Sequence, residues 1–203
     1  MKYLAIDTSS KHLLIIVNKD GEIFSTYKED CMADHSTKLM VETEELFKKA
    51  NLTVFDLDFF AVVVGPGSFT GIRIGVATIK ALSLATNKPV LPITSFDTIT
   101  YNKGIGSFLS VIDAKHDNFY ILGITDRKED FSPKFANIKE VLKLIEEYNY
   151  KVISFENLQF LHEIVDIKTG LIKAIEEKQN LITFDMDMVK PFYLRKSQAE
   201  EGR

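Results

Sequence analysis

The sequence is poor in several things, and each shortage closes off a class of protein. It holds a single cysteine, Cys31, in 203 residues. One thiol forms no internal disulfide, and no Cys/His cluster has the spacing of a zinc site. Cys31 reads as a buried or half-exposed thiol. A chain of this length buries roughly 70% of its unfolded surface, so it needs no covalent or metal staple. No apolar run reaches the ~20 residues of a membrane-spanning helix. The opening, MKYLAIDTSS, turns polar too early for a signal peptide. The expectation is a cytoplasmic chain with no membrane partner. A basic surplus is missing too: 25 Lys and Arg face 29 Asp and Glu, a formal net charge of −4. Strong direct binding of RNA or DNA is therefore disfavoured.

What is present is ordinary globular composition, 45% hydrophobic and 27% charged. Tyr3 to Asp7 reads as a buried strand, Leu13 to Val17 as a second, and EIFSTY as a third after an Asp20-Gly21 hairpin turn. Helical spacing of Leu39, Met40, Thr43, Leu46, Phe47 and Ala50 predicts a helix from about Ser36 to Ala50. Phe59 to Val64 is apolar throughout and reads as a central parallel strand. KPVLPI is a fifth strand, and Ser95 is placed as the cap of a short helix. Gly104 to Gly106 marks a lobe boundary, giving lobes 1–103 and 104–203. Beyond it come a strand–turn–strand in FLSVIDAKHDNFYILGI, a helix in NIKEVLKLIEEY and a strand in KVISF. TGLIKAIEEK is a further helix with Thr169 as a candidate cap, and KPFYLRKSQAEEGR a short strand with a charged tail. Strands alternating with helices imply an α/β fold of mixed sheets. LAIDTSSKHLLIIV and SVIDAKHDNFYILGI lie 106 residues apart when Asp7 is set on Asp113, which suggests two lobes on one plan.

The stretch AVVVGPGSFTGIRIGVATIKALSLA has the outline of a phosphate-binding strand–loop–helix. The Walker fingerprint fails, because Thr70 and Ile72 stand where its second glycine belongs and no lysine follows. The dinucleotide fingerprint fails at Thr70 and has no acidic residue between Asp58 and Asp97 to take a ribose. Gly65, Gly67, Ser68 and Gly71 therefore read as a structural loop, with Ser68 or Thr70 capping the helix. The only charges from Phe69 to Thr86 are Arg73 and Lys80. Ile72, Ile74, Ile79, Ala81, Leu82 and Ala85 are expected on the sheet. Phe69, Val76, Ala77 and Leu84 flank the two cations on the opposite face. A helix apolar nearly all round is covered on both sides, and a partner chain is the expected second cover. His35 and Leu39 of the preceding helix are added to that partner surface.

Several of these motifs agree. LAIDTSS, the run from DHSTKLM through ALSLA, IDAKHDNFY and PFYLRKSQAEE resemble the TsaB family of bacterial tRNA threonylcarbamoyladenosine biosynthesis proteins. The likeness is dense over residues 1–100 and returns at Asp113–Tyr120 and Pro191–Glu201. It implies a two-lobed actin/Hsp70-like, ribonuclease-H-like fold with mixed β-sheets flanked by helices and a reduced second lobe. It also implies a role in forming N6-threonylcarbamoyladenosine at adenosine 37 of tRNAs reading codons that begin with A. In that family's pathway a paralogue, TsaD, transfers the threonylcarbamoyl group. TsaB is its required, non-catalytic partner, and the ATPase TsaE joins them. The catalytic paralogue carries two metal-binding histidines four residues apart after the fifth strand; here Ser95 and Ile99 occupy those places, and neither replaces an imidazole. No metal site and no catalytic residue is expected. HEIVD, at His162, matches a zincin motif except at its last residue and reads as a solvated helix end. Without a Gly-Gly pair anywhere, the isolated chain is expected to hold no cofactor tightly, with ATP or ADP bound only in a complex. Asp7, Thr8 and Ser9 stand as a vestigial nucleotide turn, with shaping of the hairpin as the other reading of Asp7. The implied partners are TsaD as a heterodimer, TsaE, a second copy through the same helix face, and tRNA indirectly, with Arg195 and Lys196 as candidate contacts. The alternative functions are an ATP-dependent phosphotransferase of the same fold and a metallohydrolase.

Overall fold

A computed structural model describes residues 1–195. The described residues form two compact units: Met1–Ile93 with Ile175–Pro191, and Thr94–Ala174 with Phe192 to Arg195. The Gly104–Gly106 boundary falls inside the second unit. Thr94 to Lys103 go with that unit because their helix packs on its strands.

In the first unit, β1 (Lys2–Asp7), β2 (Leu13–Lys19) and β3 (Glu22–Lys28) form an antiparallel meander. Asp20 and Gly21 both have left-handed φ, 54° and 98°, as a two-residue hairpin turn demands. β4 (Phe59–Val63) joins β1 in parallel and β5 (Val90–Ile93) joins β4, giving the order β3-β2-β1-β4-β5. Every residue of β4 is buried, matching its unbroken apolar run. Val90 exchanges two backbone hydrogen bonds with Thr183, which ties the returning segment to the β5 edge. α1 (His35–Ala50) packs on β2 and β3. It buries His35, Leu39, Thr43, Leu46 and Ala50. That stripe is narrower than expected: Met40 is exposed and Phe47 half-buried. Lys19 Nζ donates to the Ala50 carbonyl at 2.8 Å, a cation on the negative end of the helix.

The second unit opens with α3 (Ser95–Thr100), which is capped by Thr94 rather than Ser95. Thr94 Oγ1 accepts from the Asp97 N–H, and the Asp97 carboxylate in turn accepts from the Thr94 N–H. β6 (Ser107–Asp113) and β7 (Asn118–Thr125) are antiparallel. β7 also pairs with β8 (Lys128–Glu129) and β9 (Lys134–Asn137). α4 (Ile138–Tyr148) leads to β10 (Lys151–Ser154), parallel to β6, and β11 (Glu163–Ile164) adds in parallel to β10. α5 (Ile167–Glu177) follows. Alternate residues of β6 and β7 enter two separate cores: Phe108, Ile112 and Tyr120 join Phe96 and Ile99, while Leu109, Val111 and Ile121 join Val141. Coverage of both faces explains why these strands are apolar without alternation.

The two sheets repeat one plan. β9-β7-β6-β10-β11 matches β3-β2-β1-β4-β5 in order and direction. The repeat extends to the turns: Asp7 Oδ1 accepts the Ser9 N–H and Asp113 Oδ1 accepts the Lys115 N–H, each at 2.8 Å. Two expectations are corrected here. Only the last residue of HEIVD stands at a helix end: Asp166 accepts the Lys168 N–H at 3.0 Å and the Thr169 hydroxyl at 2.7 Å at the start of α5, so Asp166 and not Thr169 caps it, while Glu163 and Ile164 form β11 and His162 Nδ1 is tied to the Phe160 carbonyl. Pro191 to Leu194 form no strand. Lys196 and the rest of the tail lie outside the described residues.

Candidate functional site: a closed turn and an open helix face

The turn after β1 meets the start of α2 (Phe69–Thr86) within the first unit. Asp7 is fully buried. Its Oδ2 lies 3.1 Å from His12 Nε2, and His12 Nδ1 lies 2.7 Å from Ser10 Oγ. Burial works to raise the Asp7 carboxyl, but the charge of His12 and hydrogen bonds from His12 and Ser9 outweigh it and hold the group below its ordinary value. A hairpin brings the residues flanking its turn together, which is how sequence neighbours of Asp7 become its partners.

The GPGSFTG loop closes over this turn. Gly65–Pro66 is a cis peptide. The Ser68 N–H donates to the Ser9 carbonyl at 2.7 Å, and Thr8 Oγ1 donates to the Gly71 carbonyl at 2.7 Å. Ser68 caps α2, accepting the Gly71 N–H at 3.2 Å. The glycines are required by approach: a Cβ on Gly67 would stand 2.0 Å from the Ser9 carbonyl oxygen, and one on Gly71 1.9 Å from that of Thr8. A Cβ on Gly75 would meet the Thr8 hydroxyl oxygen at 2.5 Å, a looser contact and one with a side chain. Thr8 and Ser9 are buried, so the turn is closed by its own loop.

His35 packs beside this junction. Its Nε2–H donates to the His12 carbonyl at 2.8 Å, and its Nδ1 has no partner. Burial holds the imidazole below its ordinary value, against the pull of the His12 carbonyl. The structure thus brings together two of the four histidines, His12 and His35, although their sequence spacing carries no motif. Groups of three or more His, Cys, Asp or Glu able to hold a metal do not occur among the described residues.

The sheet-facing side of α2 differs from the expected one. Its buried residues are Gly71, Ile72, Gly75, Val76, Ile79 and Ser83. The two glycines draw that side onto the turn, so it carries little hydrophobic signal in the sequence. Val76, assigned to the outer face, is 5% exposed and belongs to the core side. His35 and Leu39, each 1% exposed, are likewise inside the unit. The exposed side is Arg73, Ala77, Ala81, Leu84 and Ala85, with Phe69 and Lys80 half-buried at its edge and Leu84 85% exposed. Ala81 and Ala85, expected on the sheet, are therefore part of the open face.

In the second unit Ser95 and Ile99 are buried in α3. The counterpart turn after β6 is open: Asp113, Lys115, His116, Asp117 and Asn157 line a shallow cavity of about 270 Å³. Arg195 stacks over the Phe135 ring, 5.4 Å from its centroid. No helix of the described residues is long and apolar enough to cross a membrane.

Two mixed sheets on one plan, flanked by helices, define an actin/Hsp70-like, ribonuclease-H-like fold. The family model for tRNA N6-adenosine threonylcarbamoyltransferase, TsaD, matches residues 22–155, and the chain belongs to that family. Within it, the chain is similar to proteins named tRNA threonylcarbamoyladenosine biosynthesis protein TsaB. That of Buchnera aphidicola is 35% identical over 96 residues, 47% of this chain and 45% of its own. That of Bacillus subtilis is 30% identical over 122 residues, 59% of this chain and 53% of its own. The chain thus spans about half the length of the curated relatives it matches. The solved structure of YeaZ from Pseudomonas aeruginosa superposes with a TM-score of 0.74 at 19% identity, covering 95% of this chain and 99% of that one. It shares the fold.

Proposed function

We propose that this chain is a non-catalytic partner and activator of a TsaD-type threonylcarbamoyltransferase. On this reading it is needed to form N6-threonylcarbamoyladenosine at adenosine 37 of tRNAs reading codons that begin with A. The observation that carries the reading is the pairing of a closed turn with an open helix. The segment that resembles a phosphate loop is locked to Thr8 and Ser9, while the helix it launches leaves Leu84 and its neighbours uncovered. A chain that spends its loop on holding a helix in place is suited to docking. Ser95 and Ile99, where the catalytic paralogue has histidines, support a non-catalytic role, as do relatives named for this pathway.

The transferase docks on the Arg73–Leu84 side of α2. An ATPase of the TsaE type joins the assembly, nucleotide is held in the complex and not by this chain alone, and tRNA is met indirectly. The test is the modified nucleoside itself. Depleting the chain from cells is expected to remove N6-threonylcarbamoyladenosine from bulk tRNA, measured by mass spectrometry, and re-expression to restore it. Unchanged nucleoside levels after depletion would sink the proposal. Calorimetry showing tight ATP binding by the isolated chain would favour the phosphotransferase alternative instead.

A further inference from the structure

We infer that the open edge of β3 pairs with the same edge of a second copy of this chain, antiparallel and centred on Ser25, so that two first-unit sheets join into one. The pairing is independent of the function proposed above, and its surface is not that of α2. β3 ends the order β3-β2-β1-β4-β5, whereas α2 packs on β4, β1 and β5. Edge strands are commonly protected by a central charge, a proline, a bulge or shortness. β3 has none of these: its pairing with β2 runs unbroken from Glu22 to Lys28, and the middle, IFSTY, is uncharged and rich in β-branched and aromatic residues.

The backbone decides which groups the edge offers. The two-residue Asp20-Gly21 turn closes on Lys19 and Glu22 as a hydrogen-bonded pair. Bonded and non-bonded pairs alternate from there. Phe24, Thr26 and Lys28 therefore turn their N–H and C=O groups to β2, and Ile23, Ser25 and Tyr27 aim theirs outward. Among the described residues no backbone group meets Ile23 or Ser25 from that side. A two-fold uses one patch on both chains. Centred on Ser25, it sets Ser25 opposite Ser25 and Ile23 opposite Tyr27, so outward groups meet outward groups along the whole strand. Ile23 against Tyr27 is a favourable β-branched and aromatic pair; Tyr27 stacks on His12 yet stays 51% exposed. The same register sets Glu22 opposite Lys28 at both ends. Glu22 forms no ion pair among the described residues, and Lys28, already on Glu42, has an exposed flank for a second carboxylate. Centring on Phe24 or Thr26 shortens the overlap and sets Glu22 against Thr26 or Lys28 against Phe24, so the charges choose the full-length register. Asp20 and Asp30, just beyond the strand ends, each have a cation of their own chain, the Met1 amino group and Lys11.

The experiment uses the full chain, with self-association read by analytical ultracentrifugation and the edge itself by amide hydrogen exchange. Exchange at Ile23 and Ser25 is expected to slow as chain concentration rises. Ser25→Pro removes an N–H that β2 does not use and is expected to abolish association. Glu22→Lys and Lys28→Glu, each alone, set like charges opposite at both ends and are expected to weaken it roughly tenfold. Mixing those two variants sets opposite charges at both ends and is expected to restore it, a result read whether or not Ser25→Pro folds. A chain that stays monomeric to roughly 1 mM would overturn the inference. So would charge variants that associate as the wild type does, or association that survives Ser25→Pro and is lost with Leu84→Asp.

Discussion

Replacing Gly71 with alanine should destabilise the first unit, although the same change in an open helix stabilises it. In an exposed helix interior, glycine to alanine gains about 1 kcal/mol. At Gly71 the new methyl group would stand 1.9 Å from the Thr8 carbonyl oxygen and 3.2 Å from its carbon. Both atoms are backbone at the end of a central strand, so the helix must yield. Overpacking of a close contact costs about 1–3 kcal/mol. Moving α2 outward also stretches the 2.7 Å bond from Thr8 Oγ1 to the Gly71 carbonyl, whose hydroxyl is buried; an unmet buried group costs about 1–3 kcal/mol more. Subtracting the propensity gain leaves a net loss of about 1–5 kcal/mol. Gly75→Ala should lose less, because its methyl meets the Thr8 hydroxyl at 2.5 Å and not the backbone. Urea denaturation followed by circular dichroism would measure both. An unchanged or raised midpoint for Gly71→Ala would refute the claim that the loop and turn are locked by contact.

The remaining predictions use the same junction and the open face. Val76→Asp buries an unpaired carboxylate on the core side of α2 and should cost about 4 kcal/mol or more, whereas Leu84→Asp should change stability by about 0.5 kcal/mol or less; thermal melts of the two compare them directly. Asp7→Ala strands the Ser9 N–H and leaves buried His12 without its carboxylate, an expected loss of about 3–4 kcal/mol seen in the denaturant midpoint. The pH profile has two windows. His35 is held below its ordinary value, so its stabilising neutral form is fully favoured above about pH 6.5 and its contribution is lost as pH falls from there through the folded value. Asp7 is lowered from the carboxylate range, so its contribution persists above about pH 4 and is lost below it. His35→Leu should therefore flatten the stability slope in the upper window and leave the lower one; an unaltered upper slope would assign that titration to another group.

Much of this fold was legible in the sequence because two periodic signals carried it. The unbroken apolar run at Phe59–Val63 gave a central strand, and the matching Asp7 and Asp113 hairpins gave a duplicated plan, since each aspartate anchors the same backbone turn. The orientation of α2 was not legible from hydrophobicity. Its core side contains two glycines, which bury themselves by approach and contribute no apolar side chain, so the hydrophobic pattern points Val76 outward and Ala81 and Ala85 inward, the reverse of their burial. Close contact with Thr8 is the missing signal, and glycines at positions 71 and 75, one helical turn apart, are its trace in the sequence. The burial of His35 and Leu39 is hidden from the pattern for a related reason. A helix N-terminus that meets a hairpin turn can bury a polar ring, and His35 does so against the His12 carbonyl. Segments with weak patterning, such as His162–Asp166 and Pro191–Leu194, take their conformation from neighbouring strands and loops and not from local propensity.

A reconstituted reaction tests the central claim most directly. Purified chain, a TsaD-type transferase with the ATPase, and both sets together would be incubated with unmodified tRNA and the threonylcarbamoyl donor, and N6-threonylcarbamoyladenosine would be counted. The account predicts product only when this chain and the transferase are both present, and loss of product when Leu84→Asp replaces the wild-type chain. Modification by this chain alone, or full modification by the transferase and ATPase without it, would contradict the account.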